Sequence, residues 1–263
     1  SMSADEQLLP REIHKLLKTG SFARRIYYLP EVDSTNRIAK QFAKNGEQHG
    51  TLVIAGFQTA GRGRRARRWV SPPHRNLLFS LILRPAVSSS AALTLTLAFS
   101  LTIAETLSEL LGVDLKVKWP NDVVSSAGKI CGLLSESSSS AGRASFVVVG
   151  IGINVNVRGT EMPRGLGAVS CYSLTGVEHD RKVVLLTLIP RLEEAYGLFL
   201  ARGFKPFVKR YVARLSLLDK RLKYGGCGRQ VTGEAVDVRD DGALVIRSGD
   251  ELLSIYDEEG PLT

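Results

Sequence analysis

Cysteine is scarce in this 263-residue chain: Cys131, Cys171 and Cys227 are an odd number without metal-like spacing. That argues against a disulfide framework and fits a reducing cytoplasm. Histidine is equally thin. His14, His49, His74 and His179 form no His-x-x-x-His pair, which argues against a protein-ligated zinc. No apolar run approaches the length needed to span a bilayer, so no membrane partner is expected. The start, Ser1-Met2-Ser3, is polar, with no visible signal peptide, and Ser1 ahead of Met2 reads as an expression scar. No internal repeat is present.

What remains is ordinary globular material, 44% hydrophobic and 23% charged, enough for one large domain or one large and one small. Basic residues outnumber acidic ones 35 to 26, a net charge of +9. Such a balance favours polyanions or phosphorylated ligands without choosing between them.

Much of the excess sits in residues 58–69, Gln-Thr-Ala-Gly-Arg-Gly-Arg-Arg-Ala-Arg-Arg-Trp. Gly61 and Gly63 let backbone amides approach an anion. Arg62, Arg64, Arg65, Arg67 and Arg68 carry permanent, fork-shaped charge suited to carboxylate and phosphate. Trp69 offers a flat face to a nucleobase. The run follows an apolar strand, residues 51–57, and reads as a loop on a strand end that folds over an anionic ligand. A solvated basic loop or a nucleic-acid patch accounts for the same residues.

The surrounding pattern is α+β. Residues 8–18 make one short helix, ended by Gly20, and 24–29 a strand. Asp33-Ser34-Thr35-Asn36 opens a helix with Ile38, Ala39, Phe42 and Ala43 at helical spacing. These polar groups serve as a capping cluster or as a ligand-binding turn. Residues 76–83 read as a buried strand and 91–111 as a long apolar helix packed across a sheet. Strand 115–119 runs into Pro120-Asn121-Asp122, where an Asx turn and a nucleotide–magnesium site are both compatible. A hairpin carries Lys129, either exposed or projecting over the sheet. Residues 137–142 read as a polar low-complexity loop. Strand 145–157 contains Gly150 and Gly152, bare backbone where a ligand could approach, and Asn154, an edge amide or a base reader. Residues 160–175 read as irregular, and 181–199 and 204–214 as helices. Short strands from 218 onward read as a small β-barrel or sandwich. The expected division is 1–217 and 218–263, with a leader (1–20) too short for a helix-turn-helix.

Singly these signals are weak. In order, Ser34-Thr35-Asn36, the run from Gln58 to Arg65, Lys118-Trp119-Pro120-Asn121-Asp122, Lys129 with Gly132, and Gly150-Ile-Gly-Ile-Asn154 closely resemble the biotin protein ligase family, of the monofunctional type. The resemblance runs from residue 24 to the C-terminus. It implies a mixed β-sheet flanked by helices, the class II synthetase-like catalytic domain, followed by a small SH3-like β-barrel. It also implies activation of biotin by ATP to biotinyl-5′-AMP, then transfer to a lysine of a biotin carboxyl carrier protein such as an acetyl-CoA carboxylase subunit.

By position, the resemblance places Ser34, Thr35, Asn36, Gln58, Gly61, Arg62, Gly63, Arg64, Lys129 and Gly132 around biotin. It places Arg64, Arg67, Trp69, Asn76, Asn121, Asp122 and Asn154 around the nucleotide and its Mg2+. Lys129 and Arg64 are the catalytic candidates. Dimers occur in the family, and nothing in the sequence decides the point. Ala66, where the family often has glycine, and Cys131, where another small residue is expected, depart from the pattern; Cys131 reads as a core residue. A lipoate or octanoate ligase or transferase of the same fold is the first alternative, but its Arg-Arg-x-Ser-Gly-Gly-Gly signature is absent. A DNA-binding repressor and a nonspecific RNA binder are the others; the short leader predicts no specific DNA binding.

Overall fold

Side-chain alternation along the strands sorts the central sheet into two unequal faces. The computed structural model describes residues 8–85, 91–140, 143–161, 165, 167–226 and 229–256. Cys227, the first residues and the last seven lie outside these. The elements of the larger unit are α1 (Pro10–Leu16), β1 (Ile26–Val32), α2 (Thr35–Lys44), β2 (Leu52–Gln58), β3 (Leu77–Leu83), α3 (Ala91–Leu111), β4 (Lys116–Lys118), β5 (Asp122–Ser125), β6 (Gly128–Ser140), β7 (Arg143–Ile153), α4 (Cys171–Thr175), α5 (Arg181–Arg202) and α6 (Lys205–Ala213). Seven strands form one sheet in the order β1-β2-β3-β7-β6-β5-β4. β1 and β2 pair in parallel and the other neighbours antiparallel, so the sheet is mixed as expected. β1 runs on through Pro30, which the edge position permits because no neighbour needs its missing N–H.

One face is thickly apolar. Leu52 and Ile54, then Leu77, Phe79 and Leu81, then Val147, Val149 and Ile151 share the main core with residues of α3 and α5. The other face is covered only in part. Val53, Ile82, Phe146 and Val148 pack under Ala39 and Ala43 of α2. Further along that face β7 offers Gly150 and Gly152 and β3 offers Ser80, so a trough opens where α2 ends its cover.

Three expectations need correction. By length and composition α3 could cross a membrane, contrary to the reading that no such run exists; here it is a core helix, buried over most of the stretch from Thr94 to Leu107. The serine-rich stretch is no loop up to Ser140. β6 pairs with β7 as far as Ser140 opposite Arg143, because a backbone ladder asks little of the side chains on it; Ala141 and Gly142 lie outside the described residues. Residues 171–175, read as irregular, form α4, whose N-terminus carries a Ser170–Ser173 capping box.

The C-terminal strands β8 (Arg221–Gly226), β9 (Arg229–Val238), β10 (Leu244–Ser248) and β11 (Glu251–Ile255) form an antiparallel sheet in the order β11-β10-β9-β8, in keeping with an SH3-like unit. Leu222, Ala235, Val238, Leu244 and Ile246 belong to the same core as the main sheet, and buried Trp119 donates its Nε1 proton to Gly242 O at 3.0 Å.

A charged tie fixes the chain ahead of β1. Glu193 on α5 accepts from the backbone N–H groups of Gly20, Ser21 and Phe22 and from the Ser21 hydroxyl. Burial alone would raise this carboxyl, but those donors outweigh it and hold it below the ordinary value. A depressed folded-state pKa adds stability above the unfolded value, lost as pH falls through the folded one. Glu193→Gln should therefore cost about 1–3 kcal/mol at pH 7. The gap to wild type should narrow below about pH 4.3. Urea unfolding at the two pH values tests this; a gap independent of pH contradicts the tie.

Candidate active site

The trough deepens into a cavity of about 720 Å³ that runs from the start of α2, past the arginine loop, to Lys220. A space of that size accepts a drug-sized ligand. Its α2 end is a set of uncharged polar groups in fixed orientations. Ser34 takes the N-cap position of α2, yet its side chain makes no capping bond. It lines the cavity together with Thr35, Asn36 and Gln58. Gln58 Oε1 accepts from Thr35 N (2.7 Å) and Thr35 Oγ1 (3.1 Å), which turns the Gln58 amide nitrogen away as a donor. Asn36 Nδ2 donates to Leu134 O (3.0 Å) and Glu136 Oε2 (2.9 Å), and its Oδ1 accepts from Ser80 Oγ (2.7 Å). Both Asn36 hydrogens are thus spent within the protein. Gly150 is the reason Asn36 fits: a Cβ there would lie 2.1 Å from Asn36 Oδ1.

The arginine loop closes on itself as a small hairpin with an Arg62–Arg68 bridge. Gly63 N donates to Arg67 O (2.7 Å) and Trp69 N to Gly61 O (2.9 Å). Between the two legs Arg65 adopts left-handed geometry, φ 55° and ψ 44°. Arg62, Gly63, Arg64, Arg65, Arg67 and Arg68 all line the cavity. Gly61 does not. It is buried where the legs cross, and a Cβ would meet Trp69 O at 2.5 Å, so its glycine serves the crossing. The Gly63 amide, expected to face an anion, is likewise used inside the loop.

Trp69 lies over the bare backbone of β6 and β7. Cβ atoms at Gly152 and Gly132 would come within 2.8 Å and 3.0 Å of its ring. The two glycines on the open face of β7 therefore admit side chains, Asn36 and Trp69, rather than a ligand directly. Lys129 Nζ stands 5.5 Å from the Trp69 ring centroid and 2.7 Å from Asp122 Oδ1, across the β5–β6 hairpin. This ion pair is close but off the hydrogen-bond line, since Asp122 Oδ1 is buried without a hydrogen bond among the described residues. The lysine projects over the sheet, the less common of its two readings.

Residues 28–154 match the biotin/lipoate A/B protein ligase family. The biotin–[acetyl-CoA-carboxylase] ligase of Paracoccus denitrificans is 34% identical over 226 residues, which cover 83% of this chain and 92% of that protein. The chain belongs to the biotin protein ligase family. The bifunctional ligase/repressor BirA of Bacillus subtilis (strain 168) is 30% identical over 252 residues, 95% of this chain and 78% of that one. Among solved structures, the biotin protein ligase from Aquifex aeolicus in complex with biotin and ATP superimposes with a TM-score of 0.79 at 33% identity, covering 90% of this chain and 97% of that one.

For a biotin protein ligase, the residues singled out by motif divide into those the fold brings to the cavity and those it does not. Ser34, Thr35, Asn36, Gln58, Arg62, Gly63, Arg64, Arg67, Trp69, Asn121, Asp122, Lys129, Gly132 and Asn154 line it. Gly61 and Asn76 do not. Asn76, expected at the nucleotide, lies one layer behind: its Nδ2 donates to Asn154 Oδ1 (3.0 Å) and its Oδ1 accepts from Val155 N (3.1 Å). It orients Asn154 instead. Asn121 lines the cavity but gives its amide to Leu133 O (2.7 Å), which fixes β5 on β6. Cys131 is buried, and burial pushes its thiol well above the usual range, in keeping with a core role.

The motifs missed Ser80 and Glu136, which hold Asn36 from below, and Lys220, which lines the cavity together with Lys118, a residue quoted within a motif but given no role of its own. Ser80 had a signal in the sequence: a lone hydroxyl in the run Leu-Leu-Phe-Ser-Leu-Ile-Leu.

Proposed function

We infer that this protein is an ATP-dependent ligase that activates biotin as biotinyl-5′-AMP and transfers it to a lysine of a biotin carboxyl carrier protein. The observation that carries the inference is one cavity joining an uncharged, pre-oriented polar niche to a cationic span. Biotin's ureido group needs buried donors and acceptors, while its carboxylate and the ATP phosphates need fixed positive charge.

In our reading Ser34, Thr35 and the Gln58 amide nitrogen hold the ureido end, and Asn36 shapes the niche. Arg62, Arg64 and Lys129 meet the carboxylate and α-phosphate, with Arg67 alongside. A carboxylate oxygen attacks the α-phosphorus, the P–O bond to the β-phosphate breaks, and pyrophosphate leaves. Charge building on phosphate oxygens meets cations already in place, which lowers the barrier without reorganisation. The carrier lysine amine then attacks the acyl carbon and AMP departs. Trp69 and Asn154 form the adenine side.

Asp122 is the one acid among the described residues lining the cavity. This fits a magnesium ion that arrives on the triphosphate and keeps phosphate and water ligands, with Asp122 supplying at most one oxygen. Bound there, the ion would neutralise charge on the phosphates. Lys220 reaches the cavity from the C-terminal side of residue 217, which supports a part for that unit in holding the nucleotide or the acceptor.

The test is pyrophosphate release from ATP and magnesium with biotin or lipoate added. Release that depends on biotin supports the assignment; release that depends on lipoate moves the chain to the lipoyl branch of the family. Trypsin cleavage within residues 61–68 should also slow when biotin and ATP are both present, because a bound anion removes repulsion within the loop. Unslowed cleavage would remove loop closure from the mechanism.

A further inference from the structure

Glu136 stands behind the cavity wall on β6, half-buried, and three side chains from two elements converge on its carboxylate. Asn36 Nδ2 donates to Oε2 at 2.9 Å and Lys40 Nζ to Oε1 at 2.8 Å. Arg62 Nη1 lies 3.7 Å from the same Oε1. Asn36 and Lys40 are one turn apart on α2, so both reach one point on the sheet. Arg62 comes from the first leg of the arginine loop.

A carboxylate can only accept, so it decides which way the Asn36 amide faces: Nδ2 toward Glu136 and Leu134 O, Oδ1 toward Ser80. Balancing the buried charge would take one cation, and Lys40 supplies it. The second cation, Arg62, belongs to the loop that must close. Burial would raise the Glu136 carboxyl, but Lys40, Asn36 and Arg62 outweigh it and keep the group below its usual value, hence charged at neutral pH.

We propose that Glu136 is a positioning residue that sets the Asn36 amide at the biotin niche and tethers the arginine loop over it through Arg62. The proposal rests on the ligase reading for its kinetic part only; the tether itself is a property of the unliganded protein.

Glu136→Gln keeps the size and removes the charge. Trypsin cleavage after residues 64–68 of the unliganded protein should become about two- to fivefold faster, as expected for loss of a half-exposed ion pair. In biotin-dependent pyrophosphate release the KM for biotin should rise about three- to tenfold, with kcat and the KM for ATP within about twofold, the pattern of lost ground-state positioning. A purely structural role would lower the unfolding midpoint and leave loop cleavage and the biotin KM unmoved. In the cycle with Arg62→Gln, the double variant should be cleaved no faster than Arg62→Gln alone. Additive cleavage rates, or unchanged cleavage in E136Q, overturn the proposal. Should E136Q not fold, Glu136→Asp, which keeps the charge but withdraws it from Arg62, must still show faster loop cleavage. If wild type releases no pyrophosphate with biotin, the ligase reading fails while the cleavage cycle still judges the tether.

Discussion

Lys129→Ala should lower biotin-dependent pyrophosphate release by about 10²–10³-fold, the usual cost of removing one pre-set charge from a transferring group. Two effects add. The ammonium proposed to meet the carboxylate and the α-phosphate is gone. Its partner Asp122, 2.7 Å away in the native protein, is left as an uncompensated carboxylate facing incoming anions. The second effect is separable, because Asp122→Asn on the Lys129→Ala background should recover ATP binding while the chemical step stays slow. Single-turnover pyrophosphate release separates the two. Folding should be nearly normal, as the Lys129 side chain is about one-third exposed. A wild-type rate in Lys129→Ala would remove the residue from the chemistry, and no recovery of binding in the double variant would mean that Asp122 itself touches the nucleotide.

Much of this site was legible in the sequence because its motifs are local. The arginine run, Lys118-Trp119-Pro120-Asn121-Asp122 and Lys129 each sit on a turn or strand end, where a short stretch sets its own geometry. What was not legible depends on partners far along the chain. Ser80 acquires its role from Asn36, 44 positions away, and Glu136 from the same residue, 100 positions away. Neither has a local cue stronger than a polar residue in an apolar strand. Asn76 was misplaced for the same reason. A polar residue at the start of a buried strand could face the ligand or stand behind the residue that does, and only the register of β3 against β7 separates the two.

Composition misleads in a related way. α3 passes for a membrane-spanning helix by length and hydropathy, and its packing against the main sheet and α5 bears out the other reading of the same residues, a helix laid across a sheet. The serine tract passes for a loop until β7 gives it a ladder. The glycines of β7 are the subtlest case. The sequence marks them as bare backbone, which is correct, but their bareness serves two side chains that in turn shape the two ends of the cavity.

That arrangement makes Gly150 and Gly152 separable probes. Both lie on the open face of β7, two residues apart. A methyl at Gly150 would lie 2.1 Å from Asn36 Oδ1 and 2.8 Å from its Cγ, and Asn36 is pinned by Ser80, Leu134 and Glu136. It must leave its place, carrying the first turn of α2 with it. Forcing a methyl into such packing costs about 1–3 kcal/mol. Felt in the bound state, that cost becomes roughly a 5–140-fold rise in the biotin KM, since 1.4 kcal/mol is a factor of ten. A methyl at Gly152 would instead lie 2.8 Å from Cε2 of the Trp69 indole. Gly152→Ala should displace Trp69, raise the ATP KM by a similar factor, and leave biotin binding within about twofold, because Asn36 and Gln58 are untouched. Calorimetric titration of biotin and of ATP into the two variants reads the contrast directly. Equal damage to both ligands in both variants would mean that the methyl groups perturb the sheet as a whole, and the division of the cavity into a biotin niche and an adenine shelf would have to be given up.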